Sequence, residues 1–179
     1  MRRKKNIVEL TRYGAEEYLG KEKLGLRLLV DNVRSLQNVG SLFRTSDAFM
    51  VEEVILGGIT GCPPHPELTK SALGAEESVR WRHVDSAEEE ARRLQGEGWR
   101  IVSLEQAHDS VDLADYAPQA GERIVLVVGN EVEGVSQGIV DISDTVVEIR
   151  QCGVKHSLNV AVSGGIALWK ISEAMQRKG

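Results

Sequence analysis

Apolar runs of strand length alternate with helical patterns along most of this chain. After "LRLLVD", the residues Val39, Leu42, Phe43 and Phe49 recur at helical spacing. "ERIVLVVG" is a continuous apolar run, as a strand buried on both faces requires. The pattern predicts strands over 26–31, 53–57, 79–84, 99–104, 123–128 and 145–149. It predicts helices over 38–50, 66–73, 86–96, 136–141 and 157–176. "SAEEEARRLQGEG" carries both ends of one helix: Ser86 as N-cap, acids in the first turn, glycines at the close. Ser136 and Ser157 are placed to cap the helices they precede. Such alternation predicts an α/β fold, a mostly parallel sheet with helices on both faces.

The 179 residues suit one domain, large enough to bury roughly 70% of its unfolded surface. No repeat, low-complexity segment or composition break divides it. Residues 1–23 are polar and charged and read as a short N-terminal extension, leaving 24–179 as the domain. No apolar run approaches the ~20 residues that cross a bilayer, so no membrane partner is expected. "MRRKKNIVEL" is basic but lacks the apolar core of a secretion signal. Two cysteines, Cys62 and Cys152, make no disulfide framework and suit a cytoplasmic protein. Cys62 and His65 in "GCPPHP" are too few for a metal site, and that segment reads as a plain loop; no metal is expected. A net charge of −5 argues against a general nucleic-acid coat protein, but leaves room for a local basic site on an acidic body. "MRRKK", "RWRH" and "RQCGVKH" are its candidate pieces.

Open α/β sheets bind ligands beyond the carboxyl ends of their strands, and there this chain collects its unusual residues. After the first strand comes "NVGSLFR". An isolated Arg44 there would read as a solvated side chain paired with Asp47. After the fifth comes "GNEVEGVS", where Gly129, Asn130 and Gly134 permit tight turns and Glu131 and Glu133 bring carboxylates. Such a loop is unsuited to phosphates, and no phosphate-binding glycine motif occurs elsewhere. It fits a cationic centre or the hydroxyls of a sugar better. After the sixth comes "IRQCGVKHSLN", in which Asn159 offers both a donor and an acceptor. In the helix that follows, Ala161, Ser163, Gly164 and Gly165 are small enough for another backbone to pack closely, at ~1 kcal/mol per glycine.

Taken together, "NVGSLFRTSDAF", "VVGNEVEGVS" and "VEIRQCGVKHSLNVAVSGGIALW" resemble the three successive motifs of the SpoU (TrmH-like) RNA ribose methyltransferases of the SPOUT class. The resemblance runs from about residue 26 to 172. It implies transfer of a methyl group from S-adenosylmethionine to a ribose 2′-hydroxyl of tRNA or rRNA, by a homodimer. It also implies a C-terminal deep trefoil knot, which periodicity alone would not indicate. Arg44 matches the family's essential arginine, and Asn38 and Gly40 its motif partners. Glu131, Ser157 and Asn159 match the other catalytic positions. Leu104, Gly129, Asn130, Ile149, Gln151, Ser157 and Leu158 match the positions that hold the cofactor. Arg44, Arg150, Lys155 and His156 are the expected RNA contacts. Where the family usually reads Ile-Pro-Met, this chain reads Ile149, Arg150, Gln151, and Met50 replaces a usual glycine. The alternatives are an RNA-binding protein on the same fold without catalysis, and base methylation by a SPOUT enzyme.

Overall fold

A computed structural model describes residues 2–6, 9 and 13–176. Its strands are β1 (Leu26–Asp31), β2 (Glu53–Gly57), β3 (Trp81–Val84), β4 (Arg100–Leu104), β5 (Val111–Asp112), β6 (Ile124–Val128) and β7 (Thr145–Glu148). Its helices are α1 (Ala15–Gly20), α2 (Leu36–Ala48), α3 (Pro66–Ala72), α4 (Ala75–Ser78), α5 (Ala87–Gly96), α6 (Gln137–Ile142) and α7 (Val160–Gln176). The strands form one sheet in the order β3-β2-β1-β6-β4-β7-β5, with every pair parallel. The six expected strands are present; the two-residue β5 is an added edge. It lacks the apolar run by which a strand is read from sequence.

Side chains alternate between the two faces of the sheet, as the period of a strand requires. Leu28, Val30, Leu56 and Leu126 join one apolar cluster under α2, α3 and α7. Leu29, Ile55, Val125 and Val127 join another, under α5 and α6. Helix α1 also docks: its Tyr18 is buried in the first cluster and the hydroxyl donates to the Asp47 carbonyl at 2.7 Å.

Local capping explains where the helices begin. Ser86 accepts from the Glu89 amide as expected. α2 starts two residues early because Ser35 caps it, accepting from the Asn38 amide at 3.3 Å. His65 of the Cys62–His65 loop caps α3, its Nδ1 accepting from the Glu67 amide. Two caps are corrected. Ser136 precedes α6 but caps nothing, because its hydroxyl donates to the buried Asp31 carboxylate at 2.5 Å. Ser157 lies in a loop; α7 begins at Val160, and the Asn159 side chain receives the Ala161 amide at 2.9 Å.

The amino ends of the strands carry an ion-pair network. Arg27 meets Glu52 and Glu53, and Arg82 meets Glu53 and Glu90. Arg93 also holds Glu90, at 2.7 Å. The guanidiniums of Arg27 and Arg123 lie 4.1 and 4.8 Å from the Trp99 ring centre. Burial of Glu90 disfavours its charge, but hydrogen bonds from Arg93 and Arg82 outweigh that and bring its pKa down to about 2. A carboxyl lowered on folding contributes stability above its ordinary pKa, and that contribution is lost as pH falls toward the folded value. Glu90→Gln should therefore cost about 2–3 kcal/mol at neutral pH, a fall in melting temperature of roughly 5–10 °C. The gap between wild type and variant should close between pH 4.5 and about 2, as melts followed by circular dichroism would show.

Candidate active site

β1 and β6 lie side by side, so the loops that leave their carboxyl ends share one crevice. Asp31, at the end of β1 and buried, accepts from both the amide and the hydroxyl of Ser136 beyond β6. Asn130 is buried as well. Its amide donates to the Asn32 carbonyl at 2.7 Å, and its oxygen accepts from the Val132 and Glu133 amides. The loop closes on itself through paired Asn130 and Gly134 backbone bonds, each 2.9 Å. Gly134 has φ +71, and a Cβ there would strike the Glu105 carboxylate. Glu105 in turn accepts from the Val135 and Gln106 amides, at 2.9 and 2.8 Å.

Glu131 points back at the start of α2. Its carboxylate accepts from the amides of Arg34 and Ser35, each at 3.0 Å, and from the side chain of Asn38 at 3.1 Å. Burial works against its charged form, but these donors outweigh it and hold the carboxyl below the ordinary carboxylate range. Asn38 in turn accepts from the Asn159 side chain at 3.1 Å. One hydrogen-bond chain, Glu131–Asn38–Asn159, thus ties together segments that are about a hundred residues apart.

Beside this chain lies a cavity of about 410 Å³. Every residue expected to hold the cofactor lines it: Leu104, Gly129, Asn130, Ile149, Gln151, Ser157 and Leu158. So do Glu131, His156 and Asn159. Arg44, Arg150 and Lys155 are not in its lining. Arg44 is exposed on α2. The Arg44–Asp47 pair that an isolated arginine would suggest does not form: Asp47 accepts from Ser78 at 2.7 Å, and no described residue pairs with the guanidinium. Arg150 is exposed and lies 3.4 Å from Asp112 of β5.

Sequence reasoning missed the positioning roles of Asp31 and Glu105, and missed Glu148 as a lining residue. The signal for Glu105 was its place at the end of β4, next to Leu104. The lining pairs Leu104, Val128, Ile149, Leu158 and Val160 with four acidic residues and includes no lysine or arginine. That donor set fits a flat apolar ring joined to a cationic group, and it does not fit a polyphosphate.

A parallel α/β sheet with three strand-end loops closed around one such cavity is the architecture of a SpoU-type methyltransferase. This chain belongs to the SpoU rRNA Methylase family, whose profile matches residues 25–169. It is 30% identical over 171 residues to a tRNA (guanosine(18)-2′-O)-methyltransferase of Aquifex aeolicus, covering 91% of this chain and 76% of that one. The crystal structure of the A. aeolicus TrmH/SpoU tRNA modifying enzyme superposes with a TM-score of 0.81 at 30% identity, covering 92% of this chain and 82% of that one. An S-adenosylmethionine-bound rRNA methyltransferase from Sinorhizobium meliloti superposes at 0.76 with 25% identity, covering 89% and 60%. Relatives differ widely in length: the chain covers only 10% of a mouse tRNA (guanosine(18)-2′-O)-methyltransferase, to which it is 29% identical over 154 residues, 85% of this chain.

Proposed function

We propose that this protein methylates a ribose 2′-hydroxyl in tRNA or rRNA, with S-adenosylmethionine as methyl donor. The observation that carries this reading is the Glu131–Asn38–Asn159 chain, which brings all three family motifs to the mouth of one cavity. The relatives named above act on tRNA or rRNA, and one of them holds the same cofactor. The cofactor, when bound, supplies a methyl group on a cationic sulfur. Leu104, Ile149 and Leu158 would pack its adenine, with Gly129, Asn130, Gln151 and Ser157 beside it.

Asn38, Ser157 and Asn159 orient the acceptor ribose, and Glu131 fixes Asn38. Arg44, an obligate cation, clamps the RNA backbone and stabilises negative charge on the 2′-oxygen as its proton leaves. Arg150, Lys155 and His156 hold further phosphates; Arg150 exchanges Asp112 for RNA.

The catalytic unit spans 24–179 and 1–23 form an extension, in which Tyr18 anchors α1. The chain is knotted at its C-terminal end. The working form is a cytoplasmic homodimer. Val162, Ile166 and Trp169 support it: they are 52%, 40% and 52% exposed and fall on one stripe of α7. No helix is long and apolar enough to cross a membrane among the described residues. Gly164 does not face a partner, since its Cβ would lie 2.8 Å from Leu42 in the same chain.

Incubating the protein with tRNA, rRNA and labelled S-adenosylmethionine, then digesting to nucleosides, tests the reaction. A 2′-O-methylated nucleoside at one position supports the proposal. A base-methylated nucleoside would replace it with base methylation, and cofactor binding without transfer would favour a silent RNA binder. Assembly has its own test: light scattering at micromolar concentration should give twice the chain mass. Trp169→Glu should shift that species to the monomer and reduce activity with it.

A further inference from the structure

Four acidic residues line the cavity, Glu105, Glu131, Glu133 and Glu148. Two are committed to the fold: Glu131 to the Arg34 and Ser35 amides and Asn38, Glu105 to the Val135 and Gln106 amides. The carboxylates of Glu133 and Glu148 have no hydrogen-bond or ion-pair partner among the described residues. His156 is the one lining side chain able to carry positive charge, and the nearby Arg150 is turned to Asp112. Glu148 is half-buried and Glu133 exposed, and an uncommitted anion beside a partly enclosed site has a stronger effect on a charge bound there than it would in open water.

We infer that Glu133 and Glu148 make this cavity read the charge on the cofactor's sulfur, favouring S-adenosylmethionine over S-adenosylhomocysteine and so promoting release of the spent cofactor. This rests on the cofactor reading above. In the transfer, the carbon–sulfur bond breaks with its electron pair left on sulfur, and the carbon bonds to the 2′-oxygen, whose proton passes to solvent. The sulfur thereby changes from a cation to a neutral thioether, while the amino-acid tail keeps its ammonium and carboxylate. A site that gains from the sulfur's positive charge loses that gain at the moment the product forms. The same two anions repel RNA phosphates from the cavity, consistent with expected RNA contacts that lie mostly outside its lining.

Calorimetry on the intact protein tests this with three ligands: S-adenosylmethionine, S-adenosylhomocysteine, and an analogue with an amine in place of the methylated sulfur. Glu133→Gln and Glu148→Gln should each weaken S-adenosylmethionine by about three- to tenfold, with S-adenosylhomocysteine held within about twofold. The amine analogue should follow S-adenosylmethionine. Raising salt should narrow the wild-type preference between the two nucleosides, a readout that needs no variant to fold. Parallel weakening of all three ligands would overturn the inference, since the acids would then be holding the shared amino-acid tail. An unchanged ratio in both variants and in salt would overturn it as well, leaving the two acids as solvated charges. Wild-type protein that binds none of the three would remove the cofactor reading itself; normal wild-type binding with an unmoved ratio removes this inference alone.

Discussion

Arg44→Ala should lower the rate of methyl transfer by about 10²- to 10³-fold while leaving the affinity for S-adenosylmethionine within about threefold of wild type. The two halves of this expectation have separate causes. Arg44 is exposed on α2, has no partner among the described residues and is absent from the cavity lining, so its removal disturbs neither the fold nor the cofactor's surroundings. What it removes is the cation nearest in the motif to Asn38, and with it the donor to a phosphate or to charge developing on the 2′-oxygen. Arg44→Lys should recover only part of the rate, because an ammonium cannot reproduce the planar two-donor geometry of a guanidinium. Single-turnover kinetics with saturating cofactor, beside calorimetry, separates the two halves. Loss of cofactor binding in Arg44→Ala would show that the assigned role is wrong.

The same variant tests whether the arginine crosses between protomers. Mixing Arg44→Ala with Asn159→Ala subunits and allowing exchange creates dimers with one intact composite site. If the arginine acts across the interface, activity should return to about a quarter of wild type, since half the dimers are mixed and each has one good site of two. If it acts within its own chain, mixing should restore nothing.

What could be read from the sequence, and what could not, follows from how far apart the determining groups lie. β6 was legible because a strand buried on both faces must be apolar throughout, β1, β2, β4 and β7 because each holds a short apolar run, and Ser86 because a cap acts within three residues. Much of the lining of the cavity was legible through the second and third motifs, while Glu105 and Gln106 lie outside them. The roles of Ser136 and Ser157 were not. A serine before a helix reads as a cap, but Ser136 answers to Asp31, 105 residues away, whose buried carboxylate needs its hydroxyl. Asn159 displaced Ser157 because its side chain both receives the Ala161 amide and donates to Asn38, a partner 121 residues away. The small residues of α7 suggest close approach of another backbone, yet what Gly164 admits is the Leu42 side chain. Docking of α1 buries Tyr18, a single side chain that no periodicity in a six-residue helix could signal.

Gly129→Ala should have the second large effect, this time on the cofactor. A Cβ at this position would lie 2.1 Å from the Gly134 carbonyl carbon and 2.1 Å from the Val135 nitrogen, contacts no real side chain makes. Those atoms cannot yield cheaply. The Gly134 backbone is paired with Asn130 in both directions, and the Val135 amide is held by Glu105. The strain must therefore displace the whole loop, including Glu131 and its grip on Asn38. Overpacking of this kind costs about 1–3 kcal/mol, a fall in melting temperature of roughly 3–10 °C for a chain of this size. A loop shift of about 1 Å beside the reacting groups costs on the order of 10²-fold in rate, and cofactor affinity should fall with it because Gly129 lines the cavity. Gly153→Ala is the matched control. It lies in another site loop, but a Cβ there meets nothing within 4 Å, so stability, affinity and rate should stay near wild type. If Gly129→Ala bound the cofactor normally, or if both variants failed alike, close packing between residue 129 and the Gly134–Val135 backbone would not be what shapes the cavity.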